Sequence, residues 1–212
     1  VLHLLRFELG ERAFWQGLKD YTRTHEGGSV TTDDLQTAME RAGGRNLSAF
    51  FEHWIYGAEA PALEARHRVE GREVVVTIEQ KQKALWPVPL RVAVETSRGR
   101  AARTFVLKER RQEFRLPVQG VPLSVRLDDG GHLPVRVAHE RTAAMLLHQL
   151  AREPDPAGRL DALEQLQKLC GDKTTRETAC ESLSSALAER AAKDSSRLVR
   201  ERARKAPAPA RP

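Results

Sequence analysis

The sequence predicts a multidomain α+β chain on three observations. Apolar residues recur at helical spacing over residues 1 to about 60, at period two from Pro61 to Val137, and at helical spacing again beyond it. The 212 residues are 40% hydrophobic and 30% charged, which suits one or two buried cores and argues against bulk disorder.

The first block divides at glycines. The chain opens as Val1-Leu2-His3-Leu4-Leu5, already helical in pattern, with neither Met nor an N-cap residue ahead of it. A helix starting in mid-turn leaves its first amides uncapped, so residue 1 is expected to be a cut within a longer polypeptide. Phe14, Leu18 and Tyr21 continue the helical spacing to Gly27-Gly28. Thr31-Thr32-Asp33-Asp34 then supplies cap side chains and first-turn acid for a helix bearing Leu35, Met39 and Ala42. After Gly43-Gly44, Leu47, Phe50, Phe51, Trp54 and Ile55 form a third stripe at i, i+3, i+4, i+7 and i+8, predicted to be core.

From Pro61 the residues Leu63, Ala65, His67 and Val69 alternate up to Glu70-Gly71, and Val74, Val76 and Ile78 alternate beyond it, which is a hairpin signature. Further runs follow at Val88 to Val94, Phe105-Leu107, Phe114-Leu116, Leu123 to Leu127 and Leu133 to Val137. Seven short strands with turns between them predict a small antiparallel β-sandwich. Pro87, Pro89, Pro117 and Pro122 belong at strand entries or edges, because proline cannot donate to a central ladder.

The third block carries Leu146, Leu147 and Leu150, then Asp155-Pro156 as cap and first residue of a helix bearing Leu160, Leu163, Leu166 and Leu169 up to Gly171. Thr174-x-x-Glu177 reads as a capping box ahead of Ala179, Leu183, Ala186 and Leu187. Antiparallel helices joined by short polar turns suggest a helical-repeat stack, and Asp194 with Val199, Arg200 and Ala203 resembles the start of a HEAT-type repeat. The end, Ala206 to Pro212, is expected to be an extended, disordered tail.

Charge and cysteine content leave several function classes open and weaken others. The net charge is +6, of which residues 197–212 carry +5 through Arg197, Arg200, Arg202, Arg204, Lys205 and Arg211 against Glu201. The body is nearly neutral, and no aromatic residue follows Phe114 to stack on bases, so a nucleic-acid role rests on the tail charge alone. The longest apolar run, Ala143 to Leu147, is far short of a membrane span. Cys170 and Cys180 bridge only if their helices face each other; buried free thiols are the commoner outcome, and the compartment stays open.

The motifs of hydrolytic chemistry are absent. A helical zinc site needs His-Glu-x-x-His, yet His25-Glu26 and His139-Glu140 both lack the second histidine, and His53 reads as a helix-surface residue beside the aromatic stripe. The remaining histidines, His3, His67, His132 and His148, add no i, i+4 pair. Neither a Gly-x-Ser-x-Gly elbow nor a phosphate loop occurs. Asp128-Asp129-Gly130-Gly131 lacks the spaced ligands of a calcium loop and reads as a turn. No catalytic and no metal-ligating residue is therefore assigned, and substrate-binding residues stay unknown.

Particular residues nevertheless carry a family resemblance. Val1-Leu-His-Leu-Leu-Arg6-x-x-Leu-Gly10 with Phe14-Trp15, Leu18 and Tyr21 resembles the stretch following the catalytic tyrosine of the aminopeptidase-N family of zinc metallopeptidases. Thr31 to Leu35 resembles that family's helix start, and Gly44-x-x-Leu47-x-x-Phe50-Phe51-x-x-Trp54-Ile55-Tyr56-Gly57-x-x-x-Pro61-x-Leu63 its closing helix and crossover into a β-sandwich. Val76 to Gln80 and Pro87, Val88 and Leu90 are similar to early strands of that sandwich, while Glu59 stands where many relatives carry a small residue.

The resemblance implies the helical end of a gluzincin catalytic domain over residues 1–60, a β-sandwich domain over 61–137, a short HEAT-like helical region over 138–206 and a tail over 207–212. It implies a C-terminal fragment of a zinc-dependent aminopeptidase that removes N-terminal amino acids from peptides. The zinc, its His-Glu-x-x-His ligands, the Gly-x-Met-x-Asn substrate motif and the transition-state tyrosine would all precede Val1. The chain alone is then expected to be inactive, packing and bounding an active site it does not contain. The alternative is a non-catalytic interaction module whose helical repeat and basic tail dock an acidic partner.

Overall fold

The computed structural model describes residues 1–57, 59–135, 137–171 and 182–206. Among them lie eight α-helices, one π-helical turn and seven strands. The helical block comprises α1 (Leu2–Leu9), α2 (Glu11–Thr24), α3 (Thr32–Gly43), α4 (Ser48–Phe51) and the π turn Glu52–Tyr56. Gly10, at φ 79°, breaks α1 from α2, a left-handed conformation that a β-carbon would penalise. Gly17 lets α2 and α3 approach closely, since a β-carbon there would stand 2.8 Å from the Met39 sulfur.

Helix α3 starts as its sequence predicts. Asp34 donates its backbone N–H to the Thr31 hydroxyl at 3.3 Å, and Thr31 donates its own N–H to the Asp34 carboxylate at 2.8 Å. These reciprocal bonds satisfy two end donors that no helical carbonyl reaches. The hydroxyl and amide of Thr31 hold the Asp34 carboxyl below its usual range. Replacing Thr31 by Ala is expected to cost about 1 kcal/mol, read as a lower urea midpoint with unchanged slope.

The sandwich comprises β1 (Leu63–Glu70), β2 (Glu73–Gln80), β3 (Val88–Thr96), β4 (Gly99–Leu107), β5 (Arg111–Pro117), β6 (Pro122–Leu127) and β7 (Val137–His139). One sheet runs in the order β5-β2-β1-β7 and the other β4-β3-β6. The expected hairpin around Glu70-Gly71 forms with Leu63 opposite Gln80 and Val69 opposite Val74. Leu63, Ala65, Val74, Val76 and Ile78 of the first sheet face Val88, Leu90, Val92, Val94 and Val125 of the second, all buried.

Two features correct the sequence reading. The sandwich is not wholly antiparallel: β7 runs parallel to β1, with Leu63 opposite Val137 and Ala65 opposite His139. Leu133 to Val135 alternate without pairing, because Leu133 is buried from within a loop and the ladder begins only at Val137. Ile55 is the other departure. The π turn rotates it outward to 39% exposure, whereas Leu47, Phe50 and Phe51 are buried as expected and Trp54 packs against them partly buried. Pro89 sits in the central strand β3 opposite Val106 of β4, but ahead of Val92, where pairing with β6 begins, so on the β6 side no ladder asks for its missing N–H.

Leu4, Leu5, Phe14, Met39, Phe51 and the inner faces of both sheets form one continuous hydrophobic cluster. The helices α5 (Ala143–Arg152), α6 (Pro156–Gly171), α7 (Leu183–Lys193) and α8 (Arg197–Arg204) build a second cluster around Leu146, Leu150, Leu163, Leu166, Leu183 and Leu187. Asp155 caps α6 by accepting the Ala157 N–H at 3.1 Å. Cys170 is disulfide-bonded, against the expectation of free thiols. Cys180, the capping box at Thr174 and Glu177, Ala179 and the proline-rich end all lie outside the described residues.

Candidate functional site

An open groove of about 1480 Å³ runs from β1 and β2 to α6, with His67, His139, Arg141, Asp161 and Lys168 among its walls. Two of those walls meet as an imidazole pair. His67, the third inward-pattern residue of β1, places Nδ1 2.9 Å from Nε2 of His139, at the end of β7. The parallel register sets Ala65 opposite His139 and so brings together two histidines 72 positions apart.

The tautomers follow from burial. His139 is buried and its Nδ1 has no hydrogen-bond partner. An unmade N–H is costlier there than a bare lone pair, so His139 carries its proton on Nε2 and donates to Nδ1 of His67. Burial, then the Arg141 charge, then His67, hold the His139 imidazole well below its ordinary value of 6.5. Burial and Arg141 lower His67 in the same direction. Arg141 itself donates to Asp161 at 2.8 Å and to Gln149, while its buried Nε has no partner. The arrangement can exchange a proton.

A second polar cluster joins the sandwich to α5 and α6. Arg126 on β6 lies 2.8 Å from the Glu153 carboxylate and donates to Asp155 at 2.5 Å, while Arg91 and Arg100 both engage Asp129. The Arg126 Nη1 is close to Glu153 in charge but not aligned to hydrogen-bond with it. Gly158 makes room for this guanidinium, since a β-carbon there would come within 2.6 Å of it. Deeper in the helices, Arg159 donates Nε and Nη2 to the two oxygens of Asp194 at 2.9 and 2.8 Å, with both side chains buried.

The singled-out sequence motifs resolve as follows. His25 is the C-cap of α2, and His53 rests 5.3 Å from the Trp86 ring, partly buried. Asp128, at φ 54°, accepts the His132 and Leu133 amides with its carboxylate, so the Asp-Gly stretch is a self-satisfied turn. Helix α8 spends much of its charge internally: Arg197 pairs with Glu201 and Arg202 with Glu164, while Arg200 donates to the Asp194 carbonyl. Among the described residues no three His, Cys, Asp or Glu side chains converge as a metal site, so the residues described do not fit a catalytic zinc. Sequence reading missed the His67–His139 and Arg159–Asp194 pairs, because separations of 72 and 35 residues leave no local signal.

Comparison with known proteins gives a consistent picture. The chain is 29% identical over 183 residues to puromycin-sensitive aminopeptidase of Caenorhabditis elegans, covering 80% of this chain and 19% of that protein. It is 30% identical over 99 residues to aminopeptidase N of Lactococcus lactis, covering 42% of this chain and 11% of the relative. In fold it is similar to a crystal structure of Legionella pneumophila aminopeptidase A in complex with aspartic acid, at a TM-score of 0.75 and 17% identity over 98% of this chain and 25% of that one. No protein-family model matches. The chain thus spans a quarter or less of each of these proteins.

Proposed function

From the kinship of this chain with the aminopeptidase-N family, we propose that it is the C-terminal section of a zinc-dependent aminopeptidase that removes N-terminal residues from peptides. The observation that carries the reading is the similarity to puromycin-sensitive aminopeptidase along 80% of this chain and only 19% of the relative. In this reading α1 to α4 are the closing helices of the catalytic domain, the sandwich is a spacer, and α5 to α8 belong to a helical wall. Zinc and the groups acting on the scissile bond reside in the preceding sequence. This section packs and bounds the site.

Two features support that division of labour. Leu4, Phe51, Val76 and Val92 share one core that joins the helical block to the sandwich. In the same block Leu2 and Trp15 are each 51% exposed, so surface of this block is open to a further part of a longer protein. To test the reading, the chain and a form lengthened at its amino end by its own coding frame would be assayed for release of a chromogenic amine from amino-acid anilides. The lengthened form is expected to turn over and the present chain to be inert. Turnover by the present chain, or none by a folded lengthened form with a His-Glu-x-x-His, would refute it.

A further inference from the structure

Two histidine pairs tie residues 128–135 and 137–139, between β6 and α5, to the rest of the fold, one at His132 and one at His139. In the first Nε2 of His3, on α1, lies 3.1 Å from Nδ1 of His132, whose ring stacks on Phe7 at 4.0 Å between centroids. In the second Nδ1 of His67 meets Nε2 of His139 at 2.9 Å. The segment leaves β6 in one sheet, enters β7 in the other and leads into α5. It is therefore a strap tied to the helical block at His3, to the first sheet at His67 and to the C-terminal helices beyond.

Each contact joins one imidazole that donates to one that accepts, and neither pair tolerates full protonation. Two charged rings would set N–H against N–H at about 3 Å, a like-charge contact without a shared proton. Among the described residues neither pair belongs to a group of three His, Cys, Asp or Glu side chains that could hold a metal ion. The ligand these contacts respond to is the proton.

The surroundings differ in sign. The His67–His139 pair faces the Arg141 guanidinium, with Glu140 beside it; from α6, Asp161 is held by Arg141, and Glu164 and Lys168 line the same groove. The His3–His132 pair faces Glu11 of α2, Asp128 and Asp129 of the turn, Arg91 of β3 and Arg126 of β6. Asp128 is committed to the His132 and Leu133 amides.

We propose that the two histidine pairs form an acid-released latch: proton uptake separates His3 from His132 and His67 from His139, freeing the strap, its β7 edge and Leu133 from the margin of the first core while the rest of that core and the second core stay intact. Burial lowers His67, His132 and His139, so the folded strap resists protons that the released strap takes up. Bases held below 6.5 make the latch fully closed above that pH, and the closing energy is lost as pH falls from 6.5 toward the lower folded values.

The test is amide hydrogen exchange on the full chain between pH 7 and pH 5, expressed as protection factors, with imidazole titration followed by NMR. Protection at Asp129, His132, Leu133 and His139 is expected to fall at least about tenfold, the equivalent of one unit of proton linkage, while Leu90 and Leu163 stay protected. In the double variant His67→Asn and His132→Asn, the Asn Oδ1 replaces each Nδ1 acceptor without titrating, so the fall is expected to disappear at His132 and Leu133 and to shrink at His139, where the burial of that ring still opposes its protonation. An equal fall in that variant would assign the effect to Asp128, whose carboxyl burial raises, and overturn the proposal. Should the variant not fold, wild-type imidazoles titrating at the ordinary value with unchanged strap protection would overturn it equally.

Discussion

Replacing Asp194 by Ala is expected to destabilise the C-terminal helices by about 3–5 kcal/mol, the usual cost of stranding one member of a buried ion pair. Asp194 follows the last turn of α7, and its side chain is 1% exposed. It receives two hydrogen bonds from Arg159, and its Oδ1 also accepts the Ser196 N–H at 2.9 Å, which starts α8. Arg159 in turn donates Nη1 to the Glu153 and Pro154 carbonyls at 2.8 and 2.7 Å. One ion pair therefore ties the α5–α6 turn to the α7–α8 turn. Removing the carboxylate leaves a buried guanidinium half-satisfied and two turns untied.

The pH dependence of that contact has a definite sign. Burial works to raise the Asp194 carboxyl, but hydrogen bonds from Arg159 and the Ser196 amide, with the charges of Arg159 and Arg190, outweigh it and hold it below 3.8. A depressed carboxyl contributes stability that is complete above its unfolded value and lost as pH falls through the folded one. The loss therefore belongs below about pH 4, outside the window of the histidine latch. Urea unfolding followed at the helical signal checks the expectation. A midpoint for Asp194→Ala indistinguishable from wild type would mean that the pair is solvent-separated in solution.

Phe51→Ala is expected to cost about 3–5 kcal/mol through lost transfer energy and the cavity left behind. Phe51 is 1% exposed and meets Phe50 edge-on with ring centroids 5.8 Å apart. It lies in the single cluster that runs from Leu4 to the inner faces of both sheets. Its removal should loosen helical block and sandwich together and lower the melting midpoint by roughly 6–20 °C for a chain of this size. Ile55→Ala, at a residue turned outward by the π turn, should move it far less. Equal effects at the two positions would contradict the burial assigned to them.

These two residues mark what a sequence makes legible. Phe51 belongs to a stripe at helical period, so its burial was readable; the π turn that expels Ile55 depends on tertiary packing and left no trace in the spacing. Strands β1 to β6 showed themselves by alternation and by Glu70-Gly71, whereas the seventh run, read at Leu133 to Val137, pairs only as β7 at Val137–His139 and in parallel, because a three-residue edge strand owes its place to β1. The Asp194–Arg159 and His67–His139 contacts join positions far apart in the chain, and each member alone looks like an ordinary surface charge or strand residue. The helical residues resembling the aminopeptidase-N family were the most informative, since they predict a relationship that the similarity over 183 residues bears out.

The most direct test of the claim that this chain supports an active site lying elsewhere is its own zinc content. The purified chain, equilibrated with zinc and dialysed against buffer, would be analysed for metal per polypeptide and for anilide hydrolysis in the same sample. The present account predicts substoichiometric, readily chelated zinc and no turnover, because catalytic zinc requires three converging protein ligands and the described residues bring together no such group. One tightly held zinc per chain accompanied by turnover would contradict it.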